Sequence, residues 1–306
     1  MSQTLGPQRL YSLDALRGFD MFWIMGGERI FHALSKATDN PFLNSISHQF
    51  SHPDWNGFRF YDLIFPLFLF IAGVATPYSV GRQLEKGVSR QKLLWRVIKR
   101  GLILVLLGII YNNGLSIQPI SEMRFGSVLG RIGLAYMFAN IIYLYTPKQR
   151  NQIIWTGSLL LGYWIILLCT SAPGFPAGDL TIEGNFASYM DRLLVPGKLY
   201  VNNIHDPEGL FSTIPAIATG LLGILTGGFL KNSSLSPNTK AVRLLAAGAA
   251  LVVVALLWNI AFPFNKNLWS SSFATLVGGI SMLLLAVFYY IIDVKGYRKW
   301  AFFFVV

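Results

Sequence analysis

The chain has 306 residues, of which 53% are hydrophobic and only 13% charged, about half the charged share of an ordinary soluble domain; this excludes a soluble globular protein and leaves no room for a separate soluble domain. The net charge of +11 does not point to nucleic acid, because the basic residues gather in particular loops between apolar stretches, the distribution that sets membrane orientation. A single cysteine, Cys169, excludes an intrachain disulfide or a cysteine metal cluster.

In chain order, "MSQTLGPQRLYSLD" lacks the short apolar run and small-residue cleavage site of a signal peptide. The first window, 15–34, contains Arg17, Asp20, Glu28, Arg29 and His32, each costly at bilayer depth unless paired. It is expected to span nonetheless and to serve as its own insertion signal. Asp14 and Arg17, three apart, can pair on one helix face. Seven stronger windows follow, at 60–80, 94–111, 126–145, 153–169, 211–230, 244–262 and 273–292, each near the 20 or so residues that a helix needs to cross a bilayer. The chain then closes on "KWAFFFVV", which reads as a fresh apolar run. The fold class expected is all-α: one transmembrane helix bundle over 1–306, with about eight spanning helices and the start of a ninth.

The loop 81–100 carries Arg82, Lys86, Arg90, Lys92, Arg96, Lys99 and Arg100 and is expected to be cytoplasmic. Counting crossings from there puts Lys148, Arg150, Lys231, Lys240, Arg243, Lys295, Arg298 and Lys299 on the same side. The opposite side receives 36–59, 112–123, 172–209 and 263–268. The third of these is long, rich in glycine and proline, and acidic; it reads either as a lid or binding element or as a surface excursion.

Ionisable groups at membrane depth are the best pointers to function in such a chain. Arg131, in "VLGRIGLAY", lies about 10 Å into its helix and needs an anionic partner: a carboxylate such as Asp62 or Glu122, or a ligand phosphate. Arg96, Lys99 and Arg100 recur at helical spacing, either as membrane anchors or as a receiver for a phosphorylated donor such as coenzyme A. No Walker or dinucleotide motif accompanies them. His52, in "SHPDWNGFRFYD", is either a solvated loop residue or a proton-transfer or nucleophilic group ahead of a helix opened by Asp62. His32, His48 and His205 compete with it, and four histidines without metal-ligand spacing argue against zinc.

The blocks "SLDALRG", "HPDWNGFRFYDLIFPLFLFIAG", "VLGRIGLAY", "DPEGLFSTIPAI", "NKNLWSSSF" and "DVKG", taken together and in this order, resemble the heparan-α-glucosaminide N-acetyltransferase family and its bacterial relatives. The resemblance implies transfer of an acetyl group from cytoplasmic acetyl-CoA to the amine of a terminal glucosamine across the membrane, with His52, three positions before "WNG", as the catalytic histidine and no metal. Asp54 or Asp62 would then orient the imidazole. Arg96, Lys99, Arg100 and Arg131 would hold the donor. Asn56, Asp206, Glu208, Asn265, Lys266, Asn267 and Trp269 fall in family blocks as sugar or lid contacts, although Glu208 also suits the start of a helix. The family has a longer C-terminal part than this chain. The expected setting is a bacterial inner membrane, amino terminus cytoplasmic and His52 periplasmic, with the bilayer and an amino-sugar or glycan as partners and a homo-oligomer left open. A secondary transporter, or an acyltransferase for another envelope glycan, are the alternatives.

Overall fold

The apolar windows become helices, and no named strand forms among the described residues, which in this computed structural model are 10–38, 40–115 and 118–305. The stretch read as lacking a signal peptide lies mostly outside them. The chain runs through α1 (Tyr11–Phe22), a π-helical turn (Trp23–Gly27), α2 (Glu28–Thr38) and α3 (Pro41–Gln49), then a 3₁₀ turn (Phe60–Leu63) leading into α4 (Ile64–Glu85). There follow α5 (Arg90–Asn113), α6 (Val128–Tyr145), α7 (Gln149–Cys169), the short α8 (Phe186–Leu194), α9 (Thr213–Lys231), α10 (Pro237–Asn259) and α11 (Ser271–Phe288) with a π-helical extension (Tyr289–Val294). A single turn, α12 (Phe302–Val305), closes the described chain.

Side-chain caps set several helix starts. Ser89, Ser127, Asn185, Ser236 and Ser270 each accept a hydrogen bond from a backbone N–H of the first turn, satisfying a donor that has no partner inside the helix.

Among the described residues, six helices are long and apolar enough to cross a membrane: α4 with its leading turn, α6, α7, α9, α10 and α11 with its extension. The expected count of eight is thereby corrected at two windows. The 94–111 window does form a helix, α5, about 36 Å long at 1.5 Å per residue, but Arg96, Lys99 and Arg100 leave it outside the apolar set. The 15–34 window is not one helix. Gly26 adopts φ 108, a conformation open to glycine and strained for most other residues, and the chain breaks there into α1 and a separate α2 that packs on α3. At the expected start of a ninth helix the described residues form the single turn α12, which packs on α1, with the Phe19 and Phe304 rings 5.9 Å apart.

Helices α4, α9 and α11 form the interior. Along their apolar windows 72% of α9 is buried in the protein and only 22% of α10, which lies at the periphery of the bundle. Small residues bring α4 and α9 together: Gly73 lies against Gly220 and Gly223, and a Cβ on Gly223 would overlap the Phe70 carbonyl. Lipid tails supply no hydrophobic drive between helices, so this close van der Waals approach is what holds the pair. Gly223→Val should destabilise the protein by about 1–3 kcal/mol or more, whereas Gly228→Val, at a position with open space around it, should not. Thermal melts of the two detergent-purified variants check this.

The bundle has two chemically distinct ends. At one, the loops around His52, Arg124, His205 and Lys266 meet through hydrogen bonds and ring contacts. At the other, Lys231 donates to the Pro77 carbonyl at 3.0 Å and to Glu85 at 2.6 Å, tying the end of α9 to the end of α4.

Candidate active site

The loop after α3 is fixed before it presents any chemistry. Gly57, at φ 126, donates its N–H to the Phe264 carbonyl at 2.8 Å, and Asn265 donates to Asn56 Oδ1 at 3.1 Å. The Arg59 guanidinium holds Ser51 Oγ at 2.6 Å and the His52 carbonyl at 2.8 Å. The imidazole of His52 is thus displayed from a braced backbone, about half exposed, with the Tyr61 ring 5.2 Å away.

His52 Nδ1 lies 2.6 Å from Asp62 Oδ1. Asp62 is completely buried, and its other oxygen accepts the Arg59 N–H at 2.8 Å, capping the turn into α4. A buried carboxylate demands hydrogen bonds, so Nδ1 carries the proton toward it. That tautomer leaves the Nε2 lone pair free to accept a proton, while Lys266 Nζ stands 2.9 Å from Nε2 and 3.2 Å from Nδ1, against the imidazole ring and off the axis of that lone pair, and 3.7 Å from Asp62. A carboxylate orienting one imidazole nitrogen so that the other can move a proton is the arrangement of a catalytic triad.

Lys266 sits in the turn between α10 and α11. Asn265 shapes this turn by accepting the Leu268 N–H at 2.8 Å and donating its own N–H to Ser270 Oγ at 3.1 Å. Trp269, at φ 49, sinks into the bundle against Phe65 and Phe273 and donates to Thr219 Oγ1 at 3.3 Å. Burial drives the Lys266 ammonium below the usual lysine range, against the opposing pull of Asp62 and Glu208.

A second ionic group flanks the first. Arg124 grips Asp206 with two hydrogen bonds of 2.8 and 2.7 Å, reaches Glu208 at 2.6 Å and lies over the Tyr200 ring. Burial alone would raise the Asp206 pKa, but the hydrogen bonds and charge of Arg124 outweigh it and hold the carboxyl below its ordinary value. Glu208, ahead of the first turn of α9, is therefore an ion-pair partner and not a helix-start residue. Arg131 is buried, yet neither Asp62 nor the exposed Glu122 pairs with it. Its guanidinium donates to the Gly209 carbonyl at 3.1 Å and to Ser212 Oγ, and lies 5.0 Å from the Trp269 ring centre. The expected carboxylate partner is replaced by a carbonyl, a hydroxyl and an aromatic face.

Asp191, on α8, accepts the Phe211 N–H at 3.0 Å through one oxygen, while the other has no partner among the described residues. Burial lifts its pKa from 3.8 to about 6. A carboxyl whose pKa is higher folded than unfolded stabilises the fold fully below the unfolded value, and that contribution disappears as the pH rises through about 6. Asp191→Asn should therefore leave stability little changed near pH 4 and raise it at pH 8 by up to about 3 kcal/mol, read as a pH-dependent gain in melting temperature.

The remaining sequence candidates are dispersed. Asp54 is exposed, with no hydrogen bond or ion pair among the described residues, so Asp62 alone contacts His52. His32 bonds Ser47 at 2.6 Å, and His48 is exposed on α3. His205 is buried against Trp55 and bonded to Ser188 at 2.8 Å; burial lowers its pKa to about 4, which disqualifies it as a base taking a proton near neutrality. Arg96, Lys99 and Arg100 lie on the exposed side of α5; Arg96 donates to Gln83 and Arg100 covers the Tyr136 ring. They do not line the cavity of ≈ 650 Å³ at the basic end, which is bounded by Arg82, Lys231, Lys240 and Arg298 together with Glu85 and Asp293. Sequence reasoning also passed over Arg59 and Arg124. Arg59, three residues before Asp62, stands where a helix cap is expected; Arg124 finds its partners Asp206 and Glu208 more than eighty positions away, with no local sign of the pairing.

Fold and site together define a polytopic α-helical membrane protein with a His–Asp pair and a partnering lysine at one end of the bundle. A domain family of unknown function, DUF5009, matches residues 9–151. The chain is distantly homologous to the heparan-alpha-glucosaminide N-acetyltransferase of Homo sapiens, at 29% identity over 95% of this chain and 50% of that protein. To its Mus musculus counterpart it is 28% identical over 81% of this chain and 46% of that protein. The chain spans about half the length of these curated relatives.

Proposed function

We propose that this protein is a transmembrane acetyltransferase, moving an acetyl group from acetyl-CoA, taken up at the basic end, to the primary amine of an amino sugar bound at the His52 end. The observation that carries this reading is the bond from His52 Nδ1 to the buried Asp62, which leaves Nε2 free to take a proton, with an ammonium, that of Lys266, already beside the same imidazole. An acceptor ammonium held there would give its proton to Nε2, and the freed amine would attack the thioester carbonyl. The same lone pair would serve as the nucleophile of an acetyl-histidine route. The basic end is read as cytoplasmic and the His52 end as the far side, following the distribution of charge.

The four cations around the cavity suit the phosphates of coenzyme A better than the scattered side chains of α5, because they converge on one concave space. Helix α4 separates that cavity from His52 by about 33 Å, more than a pantetheine arm spans, so the thioester must enter the bundle interior or the His52 loop must dip toward it. The class of acceptor that this chemistry suits is an amino sugar or an amino-bearing envelope glycan.

Replacing Arg82 and Lys240 with Gln should weaken CoA binding, each charge-assisted contact contributing about 1.5–3 kcal/mol, or roughly tenfold and upward. The triple replacement of Arg96, Lys99 and Arg100 should matter less. Calorimetry with CoA on both variants separates the two basic sets. The reaction itself is tested by incubating purified protein with labelled acetyl-CoA and a panel of amino sugars; label on none of them would overturn the proposal.

A further inference from the structure

We propose that Lys266 is an internal acceptor: when no sugar amine occupies the site, the protein acetylates its own Lys266. The inference rests on the acetyl-transfer reading above and adds a modification site to it. Lys266 Nζ lies 2.9 Å from His52 Nε2 and 3.2 Å from Nδ1, so a primary amine of the protein already stands in close relation to the general base, and a small rotation of its side chain would bring it to the Nε2 lone pair. Two amines cannot occupy that relation together, and the acceptor has to displace the Lys266 ammonium to react. Lys266 is also held in place, because the turn carrying it is pinned by Asn265, Ser270 and the buried Trp269. Its partial burial favours the neutral, nucleophilic form more than bulk water does.

The step balances without any further reagent. The Lys266 ammonium gives a proton to His52 Nε2; the neutral nitrogen attacks the thioester carbonyl carbon; the C–S bond breaks as the C–N amide bond forms. Of the two protons that the nitrogen loses in all, one leaves on the thiol of CoA and the other passes to water. The product is a neutral acetyl-lysine. Asp62 thereby loses a nearby positive charge, and the new acetyl group fills the space in front of Nε2, so the modified protein no longer admits an acceptor. Supply of donor without acceptor would thus shut the site down, and a bound amino sugar would protect it.

The test is to incubate the purified wild-type chain with acetyl-CoA alone and map acetylated peptides over time, with and without treatment by hydroxylamine, which cleaves acetyl-imidazole but not an amide. Expected is hydroxylamine-stable acetyl on Lys266, formed at least about tenfold faster than on the exposed Lys86 and Lys295 because the base is positioned beside it. Glucosamine should slow it, and Lys266→Arg should abolish it. Labelling of Lys266 no faster than of Lys86 and Lys295 overturns the inference. If glucosamine is acetylated in the parallel reaction, that result condemns this inference alone; if neither amine is acetylated, the acetyl-transfer reading falls with it.

Discussion

His52→Ala is expected to lower acetyl transfer by about 10² to 10⁴, the contribution typical of a positioned general base, while CoA binding at the opposite end stays near wild type. Alanine removes the imidazole whose Nδ1 is fixed by the buried Asp62 at 2.6 Å and whose Nε2 is left free to take a proton, with the Lys266 ammonium beside the ring. The substitution also leaves Asp62 with fewer hydrogen bonds, so part of any loss could come from a disturbed loop. Arg59 still binds the carboxylate through its own N–H and grips the carbonyl of residue 52 through its guanidinium, which keeps the loop braced without the imidazole. Initial rates at saturating donor, with CoA affinity measured alongside, separate lost chemistry from lost folding. An effect beyond this range would point to an obligatory acetyl-histidine, since a covalent carrier cannot be bypassed.

Asp62→Asn should cost nearly as much, approaching the factor of about 10⁴ seen when the orienting carboxylate of a serine-protease triad becomes an amide. Asparagine keeps the shape and can still accept the Arg59 N–H through its carbonyl oxygen. Its amide group then faces His52 Nδ1 as a donor, forcing the proton onto Nε2, which can no longer accept one from an amine. The negative charge that steadies a protonated imidazole is lost as well. The expected signature is a fall in the catalytic constant with donor affinity unchanged, because Asp62 lies at the end of α4 remote from the basic cavity.

The candidate spanning helices were legible because a run of about twenty mostly apolar residues is a one-dimensional signal, and six such windows form helices long and apolar enough to cross a membrane among the described residues. The first window misled because composition does not reveal a positive φ: only the folded backbone shows that Gly26 ends one helix before the next begins. At the site, His52 and Asp62 lie ten residues apart, in one motif, and their pairing could be anticipated. The contact of Lys266 with His52 bridges 214 positions, and the basic cavity draws Arg82, Lys231, Lys240 and Arg298 from separate segments; neither leaves a local trace. The basic run on α5 drew attention because its members are neighbours in sequence, yet the structure turns them outward, and the cations around the cavity are Arg82, Lys231, Lys240 and Arg298.

Transport of the acetyl group from one face of the membrane to an amine on the other is the central claim, and sealed proteoliposomes with labelled acetyl-CoA outside and glucosamine trapped inside test it most directly. For the fraction of molecules whose basic end faces outward, labelled N-acetylglucosamine should accumulate in the lumen, at a rate that falls to background with His52→Ala. Passage of unmodified glucosamine across the bilayer, with no labelled product in either compartment, would contradict the account and favour a transporter.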